Sequence, residues 1–322
     1  MDFRFAAVIA ALTASCSGSV DTLGLDGEPA VAFVSPSPDS SFDRVDLDEH
    51  GARVATVNLD LEVAGITYVE LVARGESLMV VEADSKQLSV SATIPYNGTV
   101  EIEARGLDAD DAVTASATIG LSIDDPDFTC AEWMDFFGVE FSDGPVTQGI
   151  PEPVTATLPI AGMPYRYVSD QTPRETLLAD CSLIRALADT AGVLRARDVV
   201  EVADIGIYNY RCIGGGTPPN CPNGVSQHAY AKAIDIAGYT LSDGSFYSVN
   251  DDWVIDGASE ETCSAATEGG KDSFLHEIIC EQKARGIWNI VLTPNFNEAH
   301  RNHFHVDLTD GGDYTARQMP GH

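Results

Sequence analysis

Three histidines share one short window, His300-Arg-Asn-His303-Phe-His305, in a chain with seven histidines among 322 residues. Successive side chains of a strand point to opposite faces, so His303, His305 and Asp307 fall on one face. Phe304, Val306 and Leu308 then point the other way, toward a core. Neighbouring imidazoles on one side of a rigid strand pack poorly and suit a metal, whereas the plainer reading is a polar, solvent-facing strand. A second cluster is Ser226-Gln-His228-Ala-Tyr-Ala231-Lys-Ala233-Ile-Asp235. His228 ends a loop rich in Gly and Pro. Asp235 reads as part of a strand whose Ile234 and Ile236 face away from it, and the small Ala231 and Ala233 let backbone approach closely. A His followed at that distance by an Asp says little alone; the two clusters together form a specific pattern.

Those side chains need elements to carry them. Val199 to Cys212 is rich in β-branched and aromatic residues and reads as strand, and Ala233 to Val249 as a hairpin turning at Ser242-Asp243-Gly244. Ile290–Leu292 and His303–Leu308 read as two further strands. Thr172-Pro173-Arg174-Glu175 has the order of a helix start, followed by Leu177, Cys181, Ile184 and Ala188 at helical spacing. Asp272 or Ser273 is placed to cap a second helix running to about Ala284. Residues 126–322 are therefore expected to be α+β with an antiparallel sheet. Residues 30–125 differ: Thr56–Val63, Leu88–Ile94 and Val100–Ala104 alternate with period two, with turn formers such as Tyr96-Asn97-Gly98 between them. This predicts an all-β, immunoglobulin-like sandwich that acts as a spacer or a binding module. Asp124-Asp125-Pro126-Asp127 marks the boundary.

The chain carries 50 Asp and Glu against 18 Lys and Arg, a formal charge of -32. Such a surface repels phosphate backbones, which argues against a nucleic-acid partner; it suits solubility or a cationic partner. Arg4 is followed by an apolar run, Phe5 to Ala14, too short to span a bilayer and laid out like a secretory signal. Residues 1–16 are read as that signal and 17–29 as a linker. Thr13-Ala14-Ser15-Cys16 resembles a bacterial lipobox, with Thr13 where Leu is usual, which would make Cys16 a lipidated N-terminus. The expected location is the periplasm or surface of a Gram-negative bacterium, with a lipid anchor in the outer membrane; a free, cleaved protein is the alternative. The other six of the seven cysteines lie beyond residue 129. An even number in an exported chain predicts disulfides of undetermined pairing, and the lack of any C-x-x-C pair argues against a cysteine zinc site.

Taken together, the two clusters resemble the S-x-H-x-x-G-x-A-x-D and H-x-H motifs of one zinc metallopeptidase superfamily. Its members include lysostaphin-type endopeptidases, D-Ala-D-Ala carboxypeptidases, the penicillin-insensitive murein endopeptidase and the hedgehog signalling domain. Within it the chain is most similar to the bacterial extensin-like C-terminal domain family. The similarity is carried by Tyr208-Asn-Tyr-Arg211-Cys212, Ser226-Gln-His228 and His300-Arg-Asn-His303-Phe-His305-Val-Asp307, and runs from roughly Cys130 to Leu308. The chain has no Ser-Pro repeat array, so the family name implies nothing about a substrate. The resemblance implies a hedgehog- or D-Ala-D-Ala-peptidase-like fold, with His228, Asp235 and His305 as ligands of Zn2+. Two imidazoles and a carboxylate leave the fourth zinc position to water, whose pKa falls toward about 7. His303 is implied as general base or stabiliser of the tetrahedral intermediate, and His300 in a supporting catalytic role. Arg211 has the geometry to bind a substrate carboxylate bidentately, or to serve a structural ion pair. Ala231 stands where the motif has Gly, and Asn302 where the dipeptidase branch has its catalytic Glu, so the base role falls to His303.

The function expected is an exported zinc-dependent peptidase hydrolysing amide bonds in peptidoglycan peptides. The alternative is a non-catalytic, metal-containing cell-surface or cell-wall binding module, as the hedgehog domain illustrates. Glu298 and Asp307 are candidates to orient the imidazoles, with plain exposed carboxylates as the commoner reading. Trp253, Trp288 and Tyr230 are read as core or cleft-wall aromatics, and His276 as a solvated helix residue. Gly214-Gly-Gly216 precedes Thr-Pro-Pro and not a helix start, which argues against a phosphate loop.

Overall fold

The computed structural model describes residues 28–170, 172–255, 262–264 and 267–315. The signal segment, Cys16 and nearly all of the linker lie outside the described residues. Strands dominate and helices are few.

Alternation in the first unit does what it dictates. In Arg53–Ala64 the buried residues Val57, Leu59 and Leu61 are interleaved with exposed Thr56, Asn58 and Asp60. This strand pairs antiparallel with Ala30–Ser35, Asp46–Leu47 and Gln87–Ile94. A second sheet runs in the order Ser41–Asp43, Val113–Asp124, Gly98–Leu107, Tyr68–Ala73, Glu76–Glu82. The inner faces of the two sheets close one core, in which Leu59 and Leu61 meet Leu71, Ile102 and Leu121.

The second unit opens with α1 (Cys130–Phe137), started by a capping box between Thr129 and Glu132 and stopped by Gly138 in the left-handed conformation. A three-stranded antiparallel sheet follows, ordered Phe141–Asp143, Pro153–Thr157, Thr176–Asp180. Then come α2 (Cys181–Arg195), the one-turn α3 (Val249–Asp252) and α4 (Gly270–Ala284). Beside the helices lies a seven-stranded sheet. Its main path is Tyr165–Tyr167, Val199–Gly206, Ala233–Leu241, Phe304–Asp307, Ile290–Leu292, Tyr314–Thr315, and Phe246–Ser248 pairs with Ala233–Leu241. Three disulfides, Cys130–Cys181, Cys212–Cys221 and Cys263–Cys280, use all six cysteines beyond residue 129.

Three expectations need correction. The sheet is mixed, not antiparallel: Tyr165–Tyr167 runs parallel to Val199–Gly206, and Ile290–Leu292 parallel to Tyr314–Thr315. The first of these follows from α2, which lies in the connection and returns the chain to the same end of the sheet. Thr172-Pro173-Arg174-Glu175 does not start a helix. Arg174 is drawn instead to the buried Asp204 and stacks 4.3 Å over Tyr167, and the chain stays extended through Thr176–Asp180. The helix begins at Cys181, where the Asp180 carboxylate accepts from the Ser182 N–H. His276 is not solvated: it is buried and stacks 3.8 Å from Trp253, the rings nearly parallel.

The two units are welded together. Ala52 of the sandwich belongs to the core of the second unit, and a Cβ on Gly192 of α2 would meet the Ala52 nitrogen at 2.0 Å. Beneath this contact sits a buried ion cluster. Asp189 of α2 accepts from the Arg53 main-chain N–H at 3.0 Å and from its guanidinium at 2.8 Å, and Asp125 bridges Arg53 and Arg44 at 2.8 and 2.6 Å. Arg44, fully buried, also donates to the main-chain carbonyls of Pro95 and Arg285. The boundary residues are thus part of an interface, and the sandwich packs directly against the second unit.

Candidate metal centre

The central sheet places two of the predicted ligands opposite each other. Asp235 and His305 are register partners on adjacent antiparallel strands, so their side chains leave the same face side by side. Behind them, Ile234, Ile236, Phe304 and Val306 fill the core. His228 arrives from outside the sheet on a single 3-10 turn, Gln227–Tyr230, whose start is capped by the Ser226 hydroxyl accepting from the His228 N–H. The turn ends at Ala231, a buried alanine at φ 50. A left-handed alanine costs on the order of 1 kcal/mol. Ala231→Gly is therefore expected to raise the unfolding free energy by about that amount, read from denaturant midpoints with metal content unchanged.

The three ligand atoms converge. His228 Nε2 lies 3.1 Å from Asp235 Oδ1 and 3.1 Å from His305 Nδ1, and His305 Nδ1 lies 3.0 Å from Asp235 Oδ1. Donors about 2.0–2.1 Å from a tetrahedral zinc stand about 3.3 Å apart, close to this triangle. The outer nitrogens are already committed. His228 Nδ1 donates to the Ile207 carbonyl at 2.7 Å and His305 Nε2 to Asp307 at 3.0 Å. Each neutral imidazole then turns a lone pair inward, against a carboxylate oxygen that is itself an acceptor. Three lone pairs at that spacing repel one another unless a cation or a proton sits among them. The donor set fits a zinc ion.

Electrostatics says the same of the metal-free protein. Burial disfavours charge on His305, but its hydrogen bonds to Asp235 and Asp307 outweigh that and raise its pKa to about 9. Burial also opposes the charge on Asp235, yet the hydrogen bonds from His228 and His305 hold its carboxyl well below the usual range. A proton on His305 thus takes the cation's place, and zinc must displace it. The sign follows: zinc affinity is expected to rise as pH climbs from 7 toward about 9 and to level off above, because the competing proton leaves through that range. Calorimetric titrations at pH 8 in buffers of different ionisation enthalpy should show proton release on zinc binding.

His303 lies next to this triangle but outside it, with Nε2 3.5 Å from Asp235 Oδ1. Burial lowers its pKa, and its Nδ1 donates to Asn302 Oδ1 at 2.8 Å, so Nε2 carries a free lone pair. His300 stands 5.2 Å from His303, ring to ring, and burial, then the charges of His303 and His305, push its pKa down to about 4. Its Nδ1 is held by Asn297 at 2.7 Å. Arg211 is close enough for its charge to lower both histidines further. Every other arginine among the described residues touches a carboxylate or a main-chain carbonyl; Arg211 touches none. Of the two candidate carboxylates, Asp307 holds His305, whereas Glu298 is almost fully exposed, 3.9 Å from Arg301, the commoner of the two readings. Sequence reasoning missed Asn297 and Asn302 as histidine partners. Their signal was local: an amide side chain one or three residues before a site histidine.

Residues 178–317 match the family described as extensin-like protein C-terminus. This extensin-like segment holds all five site residues with acid–base or ligand character and Arg211. No curated protein matches the chain. Among solved structures, the chain is similar to Clostridium thermocellum CbhA fibronectin(III)-like modules at 15% identity and TM-score 0.23, covering 30% of this chain and 96% of that one. It is also similar to a beta-glycosidase from Bacteroides vulgatus (18% identity, TM-score 0.21, 40% of this chain and 14% of that one). A third is the Parabacteroides merdae beta-glucuronidase (14% identity, TM-score 0.23, 40% and 15%). The chain thus spans about a seventh of either glycosidase, and likenesses at this level carry no argument about function.

Proposed function

We propose that the extensin-like segment is a zinc-dependent peptidase acting on peptides with a free carboxylate, with peptidoglycan stem peptides as the substrate class. The observation that carries this reading is the convergence of three lone pairs from His228, Asp235 and His305 beside a neutral His303. Zinc held by those three residues supplies a Lewis acid that acidifies water and polarises a carbonyl. The remaining work falls to the chain. His303, its tautomer set by Asn302, accepts the proton of an attacking water at Nε2 and returns it to the departing amine. His300, neutral near pH 7, borders His303 and supports it. Arg211, without a partner among the described residues, takes the carboxylate. On this reading the segment shares the fold of the hedgehog and D-Ala-D-Ala peptidase superfamily, and the protein is exported and anchored through Cys16. Among the described residues no helix is long and apolar enough to cross a membrane.

A second reading, a metal-containing cell-wall binding module without turnover, is favoured by Asn302 standing where the dipeptidase branch has an acid. The test is incubation of the full-length, zinc-loaded protein with a panel of muropeptides, followed by mass spectrometry. New amine and carboxyl termini support the peptidase; saturable wall binding with no cleaved product supports the module.

A further inference from the structure

The chain reaches His228 through an arm whose inner end carries Ile207, the carbonyl partner of the His228 ring, and whose stapled outer end adds no atom to the ligand triangle. Residues 207–213 and 224–228 lie side by side. Asn209 N–H donates to the His228 carbonyl at 3.1 Å, Ser226 N–H to the Arg211 carbonyl at 3.1 Å and Ile213 N–H to the Gly224 carbonyl at 3.0 Å. Cys212 and Val225 form a β-bridge, and the Cys212–Cys221 disulfide, with a sequence separation of 9, staples the outer end. Beyond the staple the loop is exposed, and Gly214, Gly215 and Gly216 all have positive φ. Three glycines in a row give the backbone no intrinsic preference for this shape, so the disulfide and these few hydrogen bonds maintain it. Arg211 stands between the staple and the metal-binding turn: it is half-buried, next to Cys212 in sequence, and its carbonyl accepts from Ser226, the cap of the turn that carries His228, with its charge within reach of His300 and His303. A long cation with no partner among the described residues, in a chain of formal charge -32 and at the edge of the histidine cluster, is poised for an anion.

We infer that the arm closed by Cys212–Cys221 is a carboxylate clamp: the disulfide holds the Arg211 guanidinium beside His300 and His303, where it grips the carboxylate of a peptide ligand. Cys212 and Cys221 are positioning residues for that contact. The ligand's identity as a peptide rests on the proposed function; the clamp itself does not require turnover.

The test uses the full-length, zinc-loaded protein and calorimetric binding of a short N-acetylated peptide ending in a free carboxylate, beside the same peptide as its C-terminal amide. The wild type is expected to prefer the acid by about tenfold or more, the scale of a charge-assisted bidentate contact. Arg211→Gln should abolish the preference, and Cys212→Ser/Cys221→Ser should reduce it to near unity while retaining about one zinc per chain, as the wild type holds. Combining the two lesions should add no further loss, because they act through one contact. Should the serine pair fail to fold, Ile213→Pro loosens the arm with both cysteines intact and should give the same loss. A preference that survives in the serine pair or in Ile213→Pro, losses that add, or no preference in the wild type would overturn the clamp. Acid-selective binding without cleavage of any peptide would sink the peptidase reading and leave the clamp standing.

Discussion

Alanine at His305 is expected to abolish both metal binding and hydrolysis, and alanine at His303 to abolish hydrolysis alone. His305 Nδ1 is one corner of the ligand triangle, and its loss leaves Asp235 and His228 as the only donors. Two ligands do not hold a zinc that needs three protein donors, so metal content should fall to background. His303 points its free Nε2 toward the same space from 3.5 Å, outside the triangle. His303→Ala should therefore keep about one zinc per chain and lose about a hundredfold or more in rate, the usual contribution of a general base. Metal content by mass spectrometry and turnover on the same preparations separate the two. Metal retained in His305→Ala, or lost in His303→Ala, contradicts this assignment of roles.

The second large effect lies far from the site. Asp189→Ala is expected to destabilise the whole protein by about 3–5 kcal/mol, the cost of leaving a buried charge without its partner. Arg53 is 2% exposed and loses two hydrogen bonds, from its main-chain N–H and Nε, and the Nη2 ion pair at 2.8 Å when the Asp189 carboxylate goes. Asp125 remains at 2.8 Å but already serves Arg44. Because the cluster joins the sandwich to α2, the loss should appear as one earlier cooperative transition for the entire chain. Denaturant unfolding followed by tryptophan fluorescence and far-UV dichroism reads it. A change below about 1 kcal/mol, or two separate transitions in the wild type, would mean that the units are not coupled as the contacts indicate.

How much of this was legible beforehand depends on the range of the interaction. Alternation in Thr56–Val63 and in His303–Leu308 is written residue by residue, and the strands follow it. The spacing of Asp235 and His305 within their segments placed each on one face of a strand, but that the two strands pair in register is a tertiary fact. Thr172-Pro173-Arg174-Glu175 misled because its local signal was outvoted by Asp204, thirty residues away, which binds Arg174 and keeps the segment extended. His276 misled for a similar reason: mid-helix position says nothing about Trp253 waiting to stack on it. The interface cluster was illegible because Arg53, Asp125 and Asp189 lie in different elements of the two units, and their burial arises only when the units dock. Asn302 was read as a missing acid; its bond to His303 gives that position a use the motif comparison did not contain.

The most direct test of the metal centre is the zinc content of the purified full-length protein, measured for the wild type, His228→Ala and Asp235→Ala. The full chain is required because a cut near Asp125 would strip Ala52 from the second unit's core and Arg53 from Asp189. About one zinc per wild-type chain, lost in both variants, is the predicted result. A wild type that takes up no metal after incubation with zinc, or variants that hold it as tightly, would contradict it.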